Sequence, residues 1–377
     1  MKHWVSTSGW RLLPGLLAAG LTLMAARVGL VQPLEHKIYR SLFQIRGEQP
    51  WDDRVVLIEI DASSLAEMGQ FPWPRHYYTE LLDQITPANP SVIAFDILFA
   101  EPSEDDAALV KAMARHGDVV VATAWDAQRG VIGPNAKLVE GAIATGHIHS
   151  LDDTDSISRT YRPKVNGTPA LSLSAVQRYK LKQSDSWAMP NLNHPLWLNW
   201  PGFVENAPHY SFVDVLTGQV PATTFTNKIV FIGFTGVGLD DIATPYDQTA
   251  TGVYQHMAAA NNLLTQNYLR PVDWPIWMMV ALLSPATSYW MFYRCLRVQL
   301  LASLTLTGVW SSLVVVAFGY SYWLPTIVPL VSISLTSLFV RSFEHFEDTQ
   351  LLQWHGKPEK GSIQLPAIQP WSPVSEQ

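Results

Sequence analysis

Residues 54–109 read RVVLIEIDASSLAEMGQFPWPRHYYTELLDQITPANPSVIAFDILFAEPSEDDAAL. Two apolar runs rich in β-branched residues each end in an aspartate, Asp61 and Asp96, and a helical pattern lies between them. This order predicts a strand, a right-handed crossover helix and a second, parallel strand. Ligands bind beyond the carboxyl ends of parallel strands, so the two aspartates are predicted to lie at a ligand-binding rim.

The composition places part of the chain in a membrane and argues against several classes of function. The 377 residues carry a net charge of −7, and 48% of them are hydrophobic while 15% are charged. Soluble domains contain about 25% charged residues. The acidic balance argues against nucleic acid as a partner. The single cysteine, Cys295, excludes an intrachain disulfide and a cysteine-rich zinc site.

Four apolar segments are long enough to span a bilayer as helices. They are residues 12–31, 274–293, 298–318 and 322–340. The first follows Lys2 and Arg11 and is longer than the apolar part of a cleaved signal peptide, which favours an uncleaved signal anchor. Arg27, near its end, is expected to extend towards the lipid headgroups.

The positive charges beside these segments predict the orientation of the chain. Arg294 and Arg297 connect the second and third segments, and Arg341 follows the fourth. The positive-inside rule places this connection, residues 1–11 and the tail 341–377 in the cytoplasm. Residues 32–273 are then predicted to form one domain outside the cytoplasm.

The pattern of residues 32–273 predicts an α/β domain, with a mainly parallel or mixed sheet flanked by helices. It begins with a juxtamembrane helix over 32–50 that places Leu34, Ile38, Leu42 and Ile45 on one face. The region 124–150 carries little signal and is expected to be irregular. The other predicted strands are 54–60, 91–95, Val119–Thr123, Arg159–Val165, Leu196–Trp200 and Lys228–Phe234, and the other predicted helices are Asp61–Met68, 75–86, Ser103–Arg115, Pro169–Lys180, Tyr210–Thr217 and Gly252–Gln266.

Arg75 is the most informative residue of the opening stretch. It lies in the first turn of a predicted helix, where the macrodipole disfavours a cation by about 0.3–1 kcal/mol. A counter-charge is therefore expected, and Asp61 and Asp96 are the candidates. Trp73 is predicted to form a wall of the same pocket. Ser63 or Ser64 is predicted to cap the short helix after the first strand, and Ser103 the helix that follows the second.

Four aspartates follow apolar strands and should meet at one rim of a parallel sheet: Asp61, Asp96, Asp240 and Asp241. His256, on the last predicted helix of the domain, is more typical of a packed histidine than of a ligand. The glycines at 236 and 238 resemble a dinucleotide loop, but no helix begins there. The run Asp152–Asp155 lacks the glycine and glutamate of a calcium loop and predicts a surface turn.

Three interpretations of this rim remain open. It forms the ligand pocket of a sensor, with Arg75 and Trp73 as walls. Alternatively, it is a magnesium-dependent phosphohydrolase site, because acids at strand ends suit magnesium. A nucleophilic aspartate with a second acid two residues later is missing, however, in both Glu59-Ile60-Asp61 and Asp96-Ile97-Leu98. In the third interpretation these residues are structural. We predict no catalytic residues, no metal and no cofactor.

The order of motifs resembles the second type of CHASE domain, the cyclase/histidine-kinase-associated sensory extracellular domains of bacteria. The matching stretches are VVLIEIDASSLAEMGQFPWPR, VIAFDILFAEPSEDDAAL, SFVDVLTGQVPATTFTNKIVFIGFTGVGLDDIATP and TGVYQHMAAANNLL, which together reach from the first strand to the last helix of the domain. One span, an exported domain and three further spans are also similar to that family. The positions that match its motifs are Asp61, Trp73, Pro74, Arg75, Asp96, Asp240, Thr244, Pro245, Gly252 and His256.

The resemblance implies a multi-pass sensor of the bacterial inner membrane, with its main domain in the periplasm. It implies an unidentified small-molecule ligand at the rim. The expected partners are the membrane, a cytoplasmic kinase or cyclase, and a second copy of the chain. The residues after Arg341 depart from the family pattern because they are too few for the usual effector domain, so output through a partner protein is expected.

Overall fold

A computed structural model describes residues 9–126, 130–149, 155–184, 187–236, 238 and 240–355. The chain forms two compact units. One comprises residues 31–276 and 310–327 and contains the α/β domain. The other comprises residues 1–30, 277–309 and 328–377 and contains most of the apolar helices.

Twelve α-helices occur in the described residues. They are α1 Leu13–Arg27, α2 Gln32–Arg46, α3 Ala62–Met68, α4 Arg75–Ile85, α5 Asp106–His116, α6 Ala136–Gly141, α7 Leu171–Gln183, α8 Phe212–Leu216, α9 Gly252–Thr265, α10 Trp274–Met291, α11 Leu296–Gly319 and α12 Ile327–His355. Short 3-10 helices cover Gly9–Leu12, Thr86–Ala88, Val204–Asn206 and Ala222–Phe225.

The strands of the same residues fall into one large sheet and four two-stranded pairs. They are β1 Val55–Ile60, β2 Val92–Asp96, β3 Val119–Asp126, β4 Gly130–Ile132, β5 Ala144–His147, β6 Thr160–Tyr161, β7 Lys164–Val165, β8 Thr168–Pro169, β9 Leu196–Trp197, β10 His209–Ser211, β11 Ile229–Phe234, β12 Asp241–Ile242, β13 Ala250–Thr251, β14 Arg270–Pro271 and β15 Tyr322–Trp323.

The large sheet is mainly parallel, which confirms the predicted α/β class. Its order is β10-β1-β11-β2-β3-β4, and β5 pairs with β3. Every pair is parallel except β3 with β4. β1 and β2 are parallel but not neighbours, because the late strand β11 pairs with both. The two halves of the domain therefore share one sheet.

Helices cover both faces of the sheet, as a parallel sheet requires. On one face the core joins β1, β2, β3 and β11 to α4, α5 and α8. Long apolar side chains dominate it, among them Tyr78, Phe95 and Phe212, which are 0% exposed. On the other face lie α7 and α9, and α9 is buried from Gly252 to Leu264. Continuous burial explains why the strands read as unbroken apolar runs.

The structure corrects several predicted elements. Residues 124–150 contain the end of β3 together with β4, α6 and β5, so the expected irregular region is wrong. The predicted strand 159–165 is divided into β6 and β7, and β7 forms a hairpin with β8. The turn residues Asn166 and Gly167 have φ of 50° and 84°, as the Asn-Gly signal predicts. Most of the run Asp152–Asp155 lies outside the described residues.

The juxtamembrane helix α2 is present, and its buried face agrees with the predicted one only in part: Leu42 is 4% exposed, as predicted. Leu34 and Ile45 are 50% and 63% exposed, whereas Tyr39 and Phe43 are 0% exposed. The aromatic residues pack on other aromatic rings of the same unit, Trp323 and Phe318. The prediction was based on the aliphatic residues of this helix, whereas the aromatic residues Tyr39 and Phe43 are the ones that are fully buried.

Three helices in the described residues are long and apolar enough to cross a membrane: Gly9–Arg27, Leu296–Gly319 and Ile327–Glu347. The predicted count of four is not confirmed. The remaining predicted span corresponds to α10, an 18-residue helix with Pro285 in its interior.

Gly146 on β5 provides a test of how tightly the second face of the sheet is packed. A Cβ atom at this position would lie 2.5 Å from Leu171 Cα and 2.7 Å from Leu171 N. Neither backbone atom can move without displacing α7, so we expect Gly146→Ala to destabilise the protein by about 1–3 kcal/mol.

The measurement is thermal unfolding of the full chain in detergent, followed by tryptophan fluorescence. Gly133→Ala is the matched control, because the nearest atom to its Cβ is a Thr123 methyl carbon 3.9 Å away. Its effect should stay within about 0.5 kcal/mol. Equal effects of the two substitutions would contradict the close approach of β5 and α7.

Candidate functional site

A cleft of about 400 Å³ opens at the carboxyl end of β2. Its walls combine three charged residues, a tyrosine and a ring of apolar side chains. The charged residues are Asp96, Asp240 and Arg75, and the others are Tyr78, Phe71, Pro72, Ile97, Leu98, Ile148, Phe234 and Val253. Its volume lies in the range of small-molecule sites. Parallel strands place their ligand sites at this end of a sheet.

Asp96 is the last residue of β2 and is half-buried in the cleft. Among the described residues, none donates a hydrogen bond to its carboxylate. Burial, and then the negative charge of Asp240, raise the pKa of Asp96 to about 7. At neutral pH this carboxyl group therefore lies near the midpoint of its titration.

Arg75 lines the cleft from the first turn of α4. The prediction that Asp61 or Asp96 provides its counter-charge is wrong. Its partner is neither Asp61 nor Asp96: Arg75 Nε lies 3.6 Å from Asp106 Oδ1, and the two side chains are 11% and 1% exposed. Arg75 Nη2 also donates to the Glu101 carbonyl oxygen over 3.1 Å, and its guanidinium lies 4.5 Å from the ring centre of Phe99. The charge of Arg75 is thus largely compensated within the protein.

Asp106 connects this ion pair to the start of α5. Its other carboxylate oxygen accepts hydrogen bonds from the Ser103 N–H, over 2.8 Å, and from Asn135 Nδ2, over 3.1 Å. The helix begins at Asp106, three residues after the predicted cap Ser103. The cap prediction failed because the Asp106 side chain turns back to bind the residues before the helix.

Tyr78 lies one turn after Arg75 on α4 and is one of the residues that line the cleft. The residue is 0% exposed, and its hydroxyl has no hydrogen-bond partner in the described part of the chain. Its ring packs 5.2 Å from that of Phe99. An unpaired buried hydroxyl costs about 1–3 kcal/mol.

Asp240 lies on the opposite side of the cleft, at the start of α9. It has a φ of 56°, and its carbonyl oxygen accepts a hydrogen bond from the Gly252 N–H over 3.1 Å. A Cβ atom on residue 252 would lie 1.9 Å from Asp240 Oδ2, so any larger residue there would displace the Asp240 carboxylate. The amino-terminal end of α9 favours the negative charge of Asp240.

Asp61 and Trp73 do not line the cleft. Asp61 is itself the cap of α3: its carboxylate accepts hydrogen bonds from the Ser64 N–H over 2.9 Å and from the Ser63 and Ser211 hydroxyls. Burial would raise the pKa of Asp61, but the hydrogen bonds from Ser64, Ser63 and Ser211 outweigh it and hold that pKa below its usual value. The predicted serine caps are donors to this aspartate instead.

Trp73 is 3% exposed and belongs to the core beneath the cleft. Its indole N–H donates to the Gly69 carbonyl oxygen over 2.8 Å, and its ring lies 5.0 Å from that of Phe212. The apolar wall is formed by Phe71, whose ring lies 5.3 Å from that of Phe234. The stretch Phe71-Pro72-Trp73 therefore places Phe71 in the wall of the cleft and Trp73 in the core behind that wall.

Asp241 and His256 also lie outside the cleft lining. Asp241 is exposed on β12. His256 is 4% exposed, and its Nδ1 lies 3.4 Å from the Ser172 hydroxyl, on the side of α9 that packs against α7. Burial, and then the neighbouring His147, lower the pKa of His256 to about 3. It is a packed neutral histidine, as its position on a helix suggested.

Sequence reasoning missed several residues of this site. Tyr78 could have been predicted from the sequence, because it follows Arg75 by three residues and so lies on the same face of the helix. Phe71 adjoins the Pro-Trp-Pro motif. Asp106 and Phe234 have no comparable signal, since they reach the site through tertiary contacts between distant elements.

The arrangement suits binding of a small molecule rather than tight coordination of a metal ion. In the described ranges, no group of three or more His, Cys, Asp or Glu side chains converges to hold an ion. The cleft instead has aromatic and aliphatic walls with a few polar groups. That combination is typical of sites for organic ligands.

The family comparison covers most of the chain. The model of the CHASE2 domain matches residues 16–292. Neither the curated proteins nor the solved structures contain a significant match. The match reaches from α1 through the whole sheet and its cleft into α10. The chain belongs to the CHASE2 family of sensory domains.

Proposed function

We propose that this protein is a membrane-anchored sensor whose α/β domain binds a small molecule in the cleft beyond β2 and signals through a partner protein. The observation that carries the proposal is the cleft itself, which has a volume of about 400 Å³ and is lined by aromatic and aliphatic side chains together with Asp96, Arg75 and Tyr78. Membership of a sensory family supports a binding role over a catalytic one. The expected partner is a cytoplasmic kinase or cyclase, and the chain is proposed to act as a homodimer.

The proposed location is the bacterial inner membrane, with residues 32–273 in the periplasm. Three helices suit a membrane by length and composition. We propose α10 as a fourth span, since it contains no charged residue and Arg294 and Arg297 follow it. With four spans both chain ends lie in the cytoplasm, where a partner protein can bind the last helix.

A route for the signal is supported by contacts of α2 within the α/β unit. Glu35 is 8% exposed, and its two carboxylate oxygens accept hydrogen bonds from the N–H groups of Thr326, over 3.0 Å, and Ile327, over 2.7 Å. Ile327 is the first residue of α12, and Thr326 directly precedes it. A carboxylate at this position is favoured by the helix dipole. The helix that enters the domain thus binds the start of the helix that leaves it.

Arg46, at the other end of α2, binds the α/β domain. It donates to Asn199 Oδ1, to the Trp200 carbonyl oxygen over 2.7 Å and to the Tyr246 hydroxyl over 3.1 Å. Its guanidinium lies 4.6 Å from the ring centre of Phe43. One short helix therefore contacts both the ligand-binding domain and the start of α12, which supports a transmitting role for α2.

Tyr78→Phe tests the binding role of the cleft. Removing an unpaired buried hydroxyl should leave the thermal stability unchanged or slightly higher, because its desolvation cost disappears. Loss of one hydrogen bond should weaken a bound ligand about threefold to tenfold. The measurement is a thermal-shift screen of the full chain in detergent against a metabolite collection, followed by titration of each hit.

Tyr77→Phe is the matched control, because Tyr77 precedes Tyr78 on the same helix and does not line the cleft. A hit should bind this variant and the unmodified chain equally well. A ligand that binds Tyr78→Phe with unchanged affinity has its site elsewhere and would contradict the proposal.

Asp96→Asn tests the electrostatics of the cleft. A folded-state pKa raised to about 7 means that the folded protein favours the neutral carboxyl group. The corresponding stability is complete below the unfolded pKa near 3.8 and is lost as the pH rises through 7. Asparagine stays neutral, so the stability of Asp96→Asn relative to the unmodified protein should grow from pH 5 to pH 8 by about 2–3 kcal/mol, or about 5–10 °C in Tm.

The measurement is the Tm of both proteins across this pH range. Asp241→Asn, at an exposed position on β12, serves as the control and should show a constant difference. A constant difference for Asp96→Asn as well would mean that Asp96 is not held in a desolvated, acidic surrounding.

Cys295 tests the number of spans, because it lies between α10 and α11, is exposed and is the single cysteine of the chain. If α10 crosses the membrane, a membrane-impermeant maleimide should label Cys295 in inverted vesicles and not in spheroplasts. The control is Lys111→Cys combined with Cys295→Ser, which places the thiol on the α/β domain and should be labelled in spheroplasts. Labelling of Cys295 in spheroplasts would leave three spans.

A further inference from the structure

We propose that a second pocket of the α/β domain, separate from the cleft, binds a small organic dianion whose charge is carried by a phosphate or by two carboxylate groups. This basic pocket has a volume of about 360 Å³ and is lined by residues 162–166 and 192–195. None of these residues lines the cleft beyond β2. The proposal therefore adds a site to the protein and does not depend on the proposed function of the cleft.

The pairing of β6 with β9 places the two walls of the basic pocket opposite each other. The two strands are antiparallel, and Tyr161 is the register partner of Leu196. One wall follows this last pair along the chain, and the other precedes it. Beyond the pair, the first wall bonds to its own hairpin: the Pro163 carbonyl oxygen accepts a hydrogen bond from the Ala170 N–H over 2.8 Å. The pocket is the space where the two segments separate.

Local constraints hold the walls in place. The proline ring fixes φ at Pro163 in one wall and at Pro195 in the other. The first wall is also the leading half of the β7–β8 hairpin, in which Lys164 pairs with Pro169. A wall fixed in this way loses little conformational entropy when a ligand binds. The pocket is therefore preorganised for a small molecule.

The lining of the basic pocket carries positive charge that no acid balances. Arg162 and Lys164 both line it, and no aspartate or glutamate is among the described residues of its walls. In the described part of the chain, neither of the two side chains forms an ion pair, a hydrogen bond or a cation–π contact. The whole chain has a net charge of −7, so this positive lining is a local feature. It favours an anionic ligand.

The two cations differ in how strongly they can bind an anion. Arg162 is half-buried, whereas Lys164 is exposed. Solvent screens an exposed charge more than a partly buried one, so Arg162 is expected to contribute more to the affinity. Its planar guanidinium can also donate two parallel hydrogen bonds to a carboxylate or a phosphate. Two cations in one pocket match a ligand with two negative charges.

The remaining walls favour an organic dianion over an inorganic ion. Asn166, Asn193 and His194 supply further hydrogen-bond donors for oxygen atoms of a ligand. Four apolar residues complete the lining: Pro163, Val165, Leu192 and Pro195. An inorganic ion would leave these apolar surfaces unused, whereas the carbon skeleton of an organic ligand can pack on them. The volume lies in the lower part of the range of small-molecule sites.

The experiment titrates the full chain in detergent with matched probes, by calorimetry in a buffer of low ionic strength. The dianions are succinate and glycerol 3-phosphate. Butyrate is the monoanion with the same number of carbon atoms as succinate, glycerol is the neutral control, and dihexanoyl phosphatidylglycerol represents a lipid headgroup. We expect at least one dianion to bind with a Kd below about 1 mM, and the control compounds to bind at least about tenfold more weakly.

The variants assign the binding to the basic pocket. Arg162→Gln should weaken dianion binding about tenfold or more, and Lys164→Gln about threefold, because the lysine is the more exposed cation. Neither side chain has a partner in the described residues, so both variants should keep the Tm of the unmodified protein. An unchanged Tm would separate lost binding from lost folding.

Lys137→Gln is the matched control, because it removes one exposed positive charge from α6 of the same domain without altering the basic pocket. It should leave dianion binding unchanged. Tyr78→Phe, which alters the cleft, should also leave it unchanged. The metabolite screen with Tyr78→Phe tests the cleft separately.

Three results would overturn the proposal. Dianion binding that is insensitive to Arg162→Gln, or that Tyr78→Phe weakens, would place the dianion outside the basic pocket. Binding of butyrate or of dihexanoyl phosphatidylglycerol that is as tight as that of the dianions, and sensitive to Arg162→Gln, would assign the pocket to a monoanion or a lipid headgroup. Failure of both dianions to bind at about 10 mM would reject the site.

Discussion

The parallel pairing of β11 with both β1 and β2 is the constraint on which the α/β domain depends. Each of these strands is an apolar run buried on both faces, so none of them is stable at an open edge. β11 comes from the far end of the domain, yet it occupies the centre of the sheet. Its register aligns Gly233 with Asp96, which fixes the end of β2 where the cleft begins. Fold and site therefore depend on the same long-range contact.

Much of this architecture follows from local patterns in the sequence. Strands that end at Asp96 and Phe234 are unbroken apolar runs, and the helix after Pro74 has a clear amphipathic face. The insertion of β11 has no such signal, because parallel strands can be ordered in several ways without changing any local pattern. The three-residue strand β4 and the helix α6 could not be predicted from the sequence either, because short elements owe their conformation to tertiary packing.

The candidate site shows the same division between local and distant causes. The strand-end position predicted Asp96, and a cation in the first turn of α4 predicted that Arg75 needs a counter-charge. The predicted identity of that counter-charge was wrong, because the residue that pairs with Arg75 is Asp106, which lies on another helix. Asp61 also follows a strand, but an aspartate in that position is equally suited to cap the next helix. Its hydrogen bonds with Ser64 show that Asp61 caps α3. Strand-end acids thus serve two different purposes within one sheet.

The hydrogen bonds of Glu35 have a consequence for biogenesis. Thr326 and Ile327 follow Glu35 by 291 and 292 residues, so the carboxylate meets its partners only after nearly the whole chain has been synthesised. α10 and α11 precede these residues in the chain and are therefore synthesised before them. The packing of α2 against the start of α12 is therefore completed only late in synthesis, and a chain truncated before Thr326 would lack two of the hydrogen bonds that the buried Glu35 accepts.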